Sequence, residues 1–396
     1  MTRSFVELFL GSIRLPISKK IHIPVDMLIA LCLFKYFPYG GLQRDFLAIA
    51  KELHNRGHQI RVYTRSWQGE KPSEFDIIEV PVRALTNHSA NVKYYEWVKT
   101  HLVSHPVDKV VGFNRMPGLD FYYDADVCYA EKIEQEQRGF FYRISGRCKH
   151  YLEYENAVFE KGTKTKILLL SRVQQTYFQK HYQTESERFF LLPPGISPSR
   201  KYQNAPTGAR EKICKELDIP TSSFLLLQIG SDFSRKGVDR SIEALASLPE
   251  NRRQKTHLII IGQDNPNKFI KLANQLKIDK NVHFLLGRDD VPYFIAGCDL
   301  LLHPARSENT GTVILEALVG GLPEIVSAEC GYAYHVKTAD TGYILSTPFH
   351  QEEFNSILNE CVGNKSNKHW RDQAIKYSEK ADLYSLIIKA VELIIT

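Results

Sequence analysis

FLLLQIGSDFSRKGVDRSIEALASL, residues 224–248, decides how this chain folds. Residues 224–230 form an apolar run, interrupted by Gln228, of the length of one buried strand; 231–238 make a polar turn; 239–248 return apolar residues at helical spacing. A strand that is apolar on both faces needs cover on both sides. A strand followed directly by a helix is half of the crossover that makes neighbouring strands parallel.

The same unit recurs in both directions along the chain. Apolar runs at 257–262, 282–286 and 299–303 alternate with helical periods such as 268–276, and runs at 28–33, 60–63, 109–113 and 167–170 repeat the scheme in the first half. The fold class read from this alternation is α/β, with two Rossmann-like doubly wound domains facing across a cleft. LLPPGISPSR (191–200) separates them, because its prolines lack backbone donors and resist helix. The expected division is 27–196 for the first domain, 197–375 for the second, and 376–396 as a helix packing back toward the first. Residues 1–26 read as an extension outside the core. Their run FVELFL (5–10) is too short for a membrane span and lacks signal-peptide order, leaving an untethered extension or a weak amphipathic anchor.

The 396 residues carry a formal charge of +6, which suits an anionic small substrate or an anionic membrane surface. No RNP, zinc-finger or basic-zipper pattern points to nucleic acid. Seven cysteines, odd in number and never spaced as CxxC, argue against a disulfide framework or a zinc site and for a reducing cytosol. Neither GxGxxG nor a P-loop occurs, which excludes the usual nicotinamide and P-loop sites.

Ligands of doubly wound sheets bind beyond the carboxyl ends of strands, so motifs are sought there. KYFPYGGLQR (35–44) follows the first strand, and Gly40 and Gly41 permit close backbone approach to a phosphate at the start of a helix. GSDFSRKGVD (230–239) places Arg235 and Lys236 where they neutralise a diphosphate. SENTGTVILEALVGGLP (307–323) offers the backbone amides of Asn309, Thr310, Gly311, Thr312 and Val313 at a helix start, flanked by Glu308 and Glu316. Those two acids lie on the order of 10 Å apart by helix rise plus loop, too far for one metal ion and suited to hydroxyl groups on either side of a diphosphate. Asp124 and Asp126 form a DxD, a spacing that can hold a divalent cation, but the cations and helix start already supply positive charge, and no metal is expected. VHFLLGRDD (282–290) ends a strand at Gly287 and Arg288, whose backbone and guanidinium plane can read and stack on a base.

Taken together, these residues resemble the retaining glycosyltransferases of family 4, with the GT-B fold. The marks are Glu308-x7-Glu316, Lys236-Gly237 and Gly40-Gly41. Within the family, KYFPYGGLQRD (35–45), VGFNRMPGLD (111–120), ADVCYAE (125–131), FQKHYQT (178–184) and 230–248 are most similar to the lipopolysaccharide core glucosyltransferases that act on inner-core heptose. The resemblance runs from Met27 to the C-terminus. It implies transfer of α-glucose from UDP-glucose, as co-substrate, to a heptose of the lipopolysaccharide core, without a metal or cofactor, at the cytoplasmic face of the inner membrane. By position, Glu316 is implied to hold ribose hydroxyls, Glu308 the glucose hydroxyls, and Arg235 and Lys236 the departing diphosphate, with Gly41 and the amides of 309–313 completing the cradle. Asp45 and Asp126 are expected to orient the acceptor. The competing readings are the same fold with another UDP-hexose donor, and a nucleotide-binding membrane scaffold without catalysis.

Two positions depart from the family pattern. Ser231 stands where an Arg is usual, which makes Arg235 a candidate substitute, and Glu324 stands where an apolar strand residue is usual. A carboxylate buried in a sheet is costly unless paired or protonated, so Glu324 either faces solvent or weakens the fold. RGFFYRISGRCK (138–149) interleaves Arg138, Arg143, Arg147 and Lys149 with Phe140 and Phe141, and suits an interfacial segment over anionic lipid. The alternative is a surface helix that uses both phenylalanines as core. Arg115 is a further candidate for contact with an anionic acceptor.

Overall fold

The computed structural model describes residues 26–38, 40–363 and 367–396. The expected extension at 1–26 lies outside the described residues, apart from Asp26. Seven strands build the first sheet: β1 (Leu28–Cys32), β2 (Gln59–Thr64), β3 (Asp76–Glu79), β4 (Lys109–Gly112), β5 (Phe121–Asp124), β6 (Lys166–Leu169) and β7 (Phe189–Leu191). Six build the second: β8 (Phe224–Ile229), β9 (Thr256–Ile261), β10 (Val282–Leu285), β11 (Leu300–His303), β12 (Glu324–Ser327) and β13 (Gly342–Leu345).

The strand orders are β3-β2-β1-β4-β5-β6-β7 and β10-β9-β8-β11-β12-β13, and each neighbouring pair is parallel. Order reverses between β1 and β4 and again between β8 and β11. Helices leave opposite faces there, opening a crevice at the carboxyl ends of the strands. Burial follows strand alternation: Ile29 and Leu31 join Phe46 and Phe113 on one face of the first sheet, while Ala30 and Cys32 join Tyr94 and Phe178 on the other. The second sheet is likewise covered on both faces, around Leu226 and Ile260 on one side and Leu225 and Ile261 on the other.

The tail consists of two helices. Asn367–Lys380 lies against the helix Thr312–Val319 of the second domain. The chain turns at 381–385, later than residue 376, and Leu386–Ile394 crosses to the helix Gly41–Asn55. Its Leu386, Ala390, Val391 and Ile394 are buried with Phe46, Ile49 and Leu53 of the first domain. The proline-rich linker is pinned by this tail, with Ile196 N–H donating to the Leu383 carbonyl at 2.9 Å and Leu386 N–H to the Pro194 carbonyl at 3.2 Å.

Glu324 opens β12 and is fully buried, and neither carboxylate oxygen has a partner among the described residues. Solvent exposure is therefore the wrong alternative for this residue. Burial pushes its carboxyl well above the ordinary range, so the strand accommodates it as the neutral acid. All seven cysteines are free and buried.

Candidate functional site

The loop after β8 is shaped by two glycines that other residues could not replace without strain. Gly230 has φ +137° and a Cβ there would stand 2.9 Å from the Lys236 Cε; Gly237 has φ +71° and its Cβ would run into the Pro304 carbonyl oxygen. The tight loop turns Lys236 inward, leaving it 9% exposed, and the Gln228 amide donates to the Lys236 carbonyl at 2.8 Å. Lys236 Nζ then reaches the Glu308 carboxylate. Arg235 Nη1 donates to the same Glu308 Oε2 at 2.8 Å and to the Ser307 carbonyl at 2.9 Å, while its Nε donates to Asp232 at 3.1 Å.

One carboxylate thus meets two cations from another loop. Burial alone would raise Glu308, but Lys236 and then Arg235 outweigh it and hold the carboxyl at about 2. His303, at the end of β11, lies beneath, with Nε2 4.0 Å from Glu308 Oε2. Burial, reinforced by Lys236, presses its pKa down to about 3, so it faces the cluster as neutral imidazole. Sequence reading missed His303 because its apolar run gave a complete account of it as strand.

Gly311, with φ +79°, caps the helix Thr312–Val319 and aims that helix start at the same region. Its neighbours are already tied down: Thr310 accepts from Tyr332 N–H at 2.9 Å, and the buried Asn309 side chain donates across the cleft to the Asp124 carbonyl at 2.8 Å. Asn309 is therefore a bridge between domains as well as part of the turn. Val313 is buried on the helix, so its side chain is not what this helix start can offer to a ligand.

Glu316 lies one helical stretch on and lines a separate cavity of about 650 Å³ together with Arg44, Asp45, Arg200, Asp289 and Thr312. Burial raises its carboxyl, with Arg200 and Arg44 opposing. The structure thus brings Asp45 and Glu316, from different domains, to one cavity. Asp45 accepts from the Tyr123 hydroxyl at 2.9 Å and pairs with Arg44 at 3.3 Å; burial raises it too. Arg44, Arg200 and Asp289 were not singled out from sequence. Arg44 and Asp289 adjoin residues that were, and Arg200 ends the linker, so adjacency was the available signal.

The two early glycines differ. A Cβ at Gly40 would collide with Gln43, whereas one at Gly41 meets nothing within 4 Å among the described residues. Gly287 packs against Gln263, where a Cβ would stand 2.6 Å from Nε2. Arg288, expected to stack on a base, is ion-paired through its edge. Its fork is taken by Glu216 and by Asp290 at 2.7 and 3.0 Å, and Phe294 lies 4.8 Å from the guanidinium. Asp289 is the member of that turn that lines the cavity.

Arg115 is also corrected. It is no surface cation: its guanidinium is fixed by Glu155 and by the Asp126 and Val127 carbonyls at 2.9 and 3.0 Å, with Asp124 at 3.8 Å. These partners are distant in sequence, so exposure could not be judged there. Asp124 is fully buried, whereas Asp126 lines a cavity of the first domain. In 138–149, Phe140 and Phe141 are 70% and 85% exposed, which removes the reading of both as core. Arg138 pairs with Glu136 at 2.7 Å, Arg143 Nε donates to the Arg138 carbonyl at 3.0 Å, and Lys149 is exposed; Arg147 lines the same first-domain cavity as Asp126.

Residues 209–380 match the family described as Glycosyl transferases group 1. The chain is 52% identical over 369 residues to the lipopolysaccharide glucosyltransferase WaaG of Escherichia coli K12, spanning 93% of this chain and 98% of that protein. The crystal structure of WaaG, a glycosyltransferase involved in lipopolysaccharide biosynthesis, matches with TM-score 0.85 over 92% of this chain and 99% of that one. At 18% identity, Anabaena HepE in complex with UDP-glucose shares the fold, with TM-score 0.68 over 93% of this chain and 98% of that one.

Proposed function

The chain belongs to the group 1 glycosyl transferases and to the kindred of WaaG within them, and from that premise we propose that it moves α-glucose from UDP-glucose to a heptose of the lipopolysaccharide core. Its two facing doubly wound domains are the GT-B architecture. The observation that carries the proposal is the Arg235–Lys236–Glu308 cluster beside the start of the helix Thr312–Val319.

In the transfer, the bond between glucose C1 and the β-phosphate oxygen breaks as a heptose hydroxyl bonds to C1, negative charge builds on the departing diphosphate, and the hydroxyl's proton passes to the freed phosphate oxygen. Arg235 and Lys236 are held in place to meet that charge before the reaction begins, so little reorganisation is needed as it develops. Glu308, ionised at any working pH, accepts hydrogen bonds from hydroxyls of the glucose through the lone pairs that its cations leave free. Glu316 takes the ribose hydroxyls, and Asp45, across the same cavity, orients the acceptor. Two cations and a helix start supply the charge that a divalent ion would otherwise bring. The DxD supports the metal-free reading, since Asp124 is buried with the Arg115 cation 3.8 Å away.

The acceptor is lipid-linked in this reading, and the exposed Phe140 and Phe141 among Arg138, Arg143 and Lys149 are the surface that meets anionic lipid at the cytoplasmic face of the inner membrane. No helix among the described residues is long and apolar enough to cross a membrane. The test is a donor panel of UDP-glucose, UDP-galactose and UDP-N-acetylglucosamine with a heptose-terminated core acceptor. UDP-glucose is expected to be used with the highest kcat/KM. Preference for another donor, or UDP binding with no turnover on any of them, overturns the proposal.

A further inference from the structure

Beyond the donor cluster, the first domain holds a cavity of about 510 Å³ at the carboxyl ends of β1, β2, β4 and β5, within the range of small-molecule sites. Five cations line it, Lys35, Arg65, Arg115, Lys132 and Arg147, against the single carboxylate of Asp126. Arg115 is neutralised within the wall by Glu155. Among the described residues, however, Lys35, Arg65 and Arg147 have no carboxylate within ion-pair distance. Like charges gathered in one concave site repel unless an anion lies between them.

The neutral wall is as telling. The helices Asn87–Ser104 and Gly146–Phe159 present Asn91, His150 and Tyr154, which are 3%, 5% and 5% exposed. Among the described residues, Asn91 Oδ1, His150 Nδ1 and the Tyr154 hydroxyl have no hydrogen-bond partner, and neither has Arg65 Nε. Buried polar groups are ordinarily paired, so several orphans lining one cavity point to a ligand that supplies both acceptors and donors. Burial, then His88, lowers His150 to about 4, which keeps it a neutral hydrogen-bonding group. Lys132 lines both this cavity and the cleft cavity that contains Arg235, so the two adjoin at that side chain.

We propose that this cavity is a subsite for an anionic sugar of the acceptor, with Arg65 and Arg147 gripping a carboxylate or phosphate and Asn91, His150 and Tyr154 reading hydroxyls beside it. The assignment rests on the transferase reading above. Arg65 and Arg147 then set acceptor specificity, because an acceptor without the anion leaves both cations unmatched.

Steady-state kinetics of Arg65→Gln and Arg147→Gln test it, using the core acceptor in three forms: intact, phosphatase-treated and carboxyl-reduced. With the intact acceptor both variants are expected to raise acceptor KM tenfold or more, while kcat and the KM for UDP-glucose stay within twofold; Arg65→Lys should recover part of the loss. On one of the two neutralised acceptors the wild type should weaken to the variants' level and the difference should vanish, and which one it is identifies phosphate or sugar acid as the anion. Arg147 is exposed, so its variant keeps the test open if Arg65→Gln fails to fold. Unchanged acceptor KM in a folded variant, or a penalty that persists on both neutralised acceptors, overturns the inference while leaving glucose transfer standing. Absence of transfer by the wild type on the intact acceptor overturns both.

Discussion

At the residue scale, two buried glutamates show opposite solutions to one electrostatic problem. Glu308 is held ionised by Lys236 and Arg235. Its lowered folded pKa contributes stability above the unfolded value of about 4.5, lost as pH falls toward 2. Lys236→Ala removes one cation but leaves Arg235, so the fold should survive while charge on the departing diphosphate loses a preorganised partner. kcat is expected to fall by about 10²–10³, as when one oxyanion donor is removed, with far-ultraviolet circular dichroism unchanged; full activity in this variant would count against the cluster's role. Glu324 has no cation and is driven neutral. Its raised folded pKa means that the ionisation part of its cost is absent below the unfolded pKa and grows as pH rises from there toward the folded value. Glu324→Val, close in volume and suited to a strand, should therefore stabilise the protein by about 1–3 kcal/mol at pH 8, with the gain shrinking below about pH 5. Urea unfolding at the two pH values reads this directly, and a gain independent of pH would contradict it.

At the element scale, legibility in the sequence tracked how far an element states its own environment. The central strands β1, β8 and β9 appear as apolar runs because both of their faces are covered. β3 (DIIE), β5 (FYYD) and β12 (EIVS) are four residues each and carry an acid at an end, so no such run marks them. The Gly230 and Gly237 turn was legible, because glycine and its spacing report backbone shape directly. The ion pairs of Arg115 with Glu155 and of Arg288 with Glu216 were not legible, because these partners lie 40 and 72 residues away; Asp290, two residues from Arg288, was in view. The short helix Phe140–Arg143 has no buried residue, and its reading as an interfacial element is testable by itself. Phe140→Ser with Phe141→Ser should weaken binding to vesicles rich in anionic phospholipid by tenfold or more, since burying one such side chain is worth about 1.5–3 kcal/mol. Transfer to a short soluble acceptor should be unchanged. Equal vesicle binding by the double variant would remove this helix from the account.

At the scale of the whole molecule, the two domains are coupled by the returning helix Leu386–Ile394, by the linker hydrogen bonds and by Asn309 reaching the Asp124 carbonyl. This arrangement sets a cation-bound carboxylate, a helix start and the shared Asp45–Glu316 cavity along one cleft. Each part has an alternative use; together they are the arrangement on which the proposed transfer from a sugar diphosphate rests. The most direct test is the anomeric configuration of the product made by the wild type from UDP-glucose labelled with carbon-13 at C1 and a heptose-terminated acceptor, read from the one-bond carbon–proton coupling. The account predicts a single new α-glucosidic linkage to heptose. A β-linkage, or release of free glucose with none transferred, would contradict it.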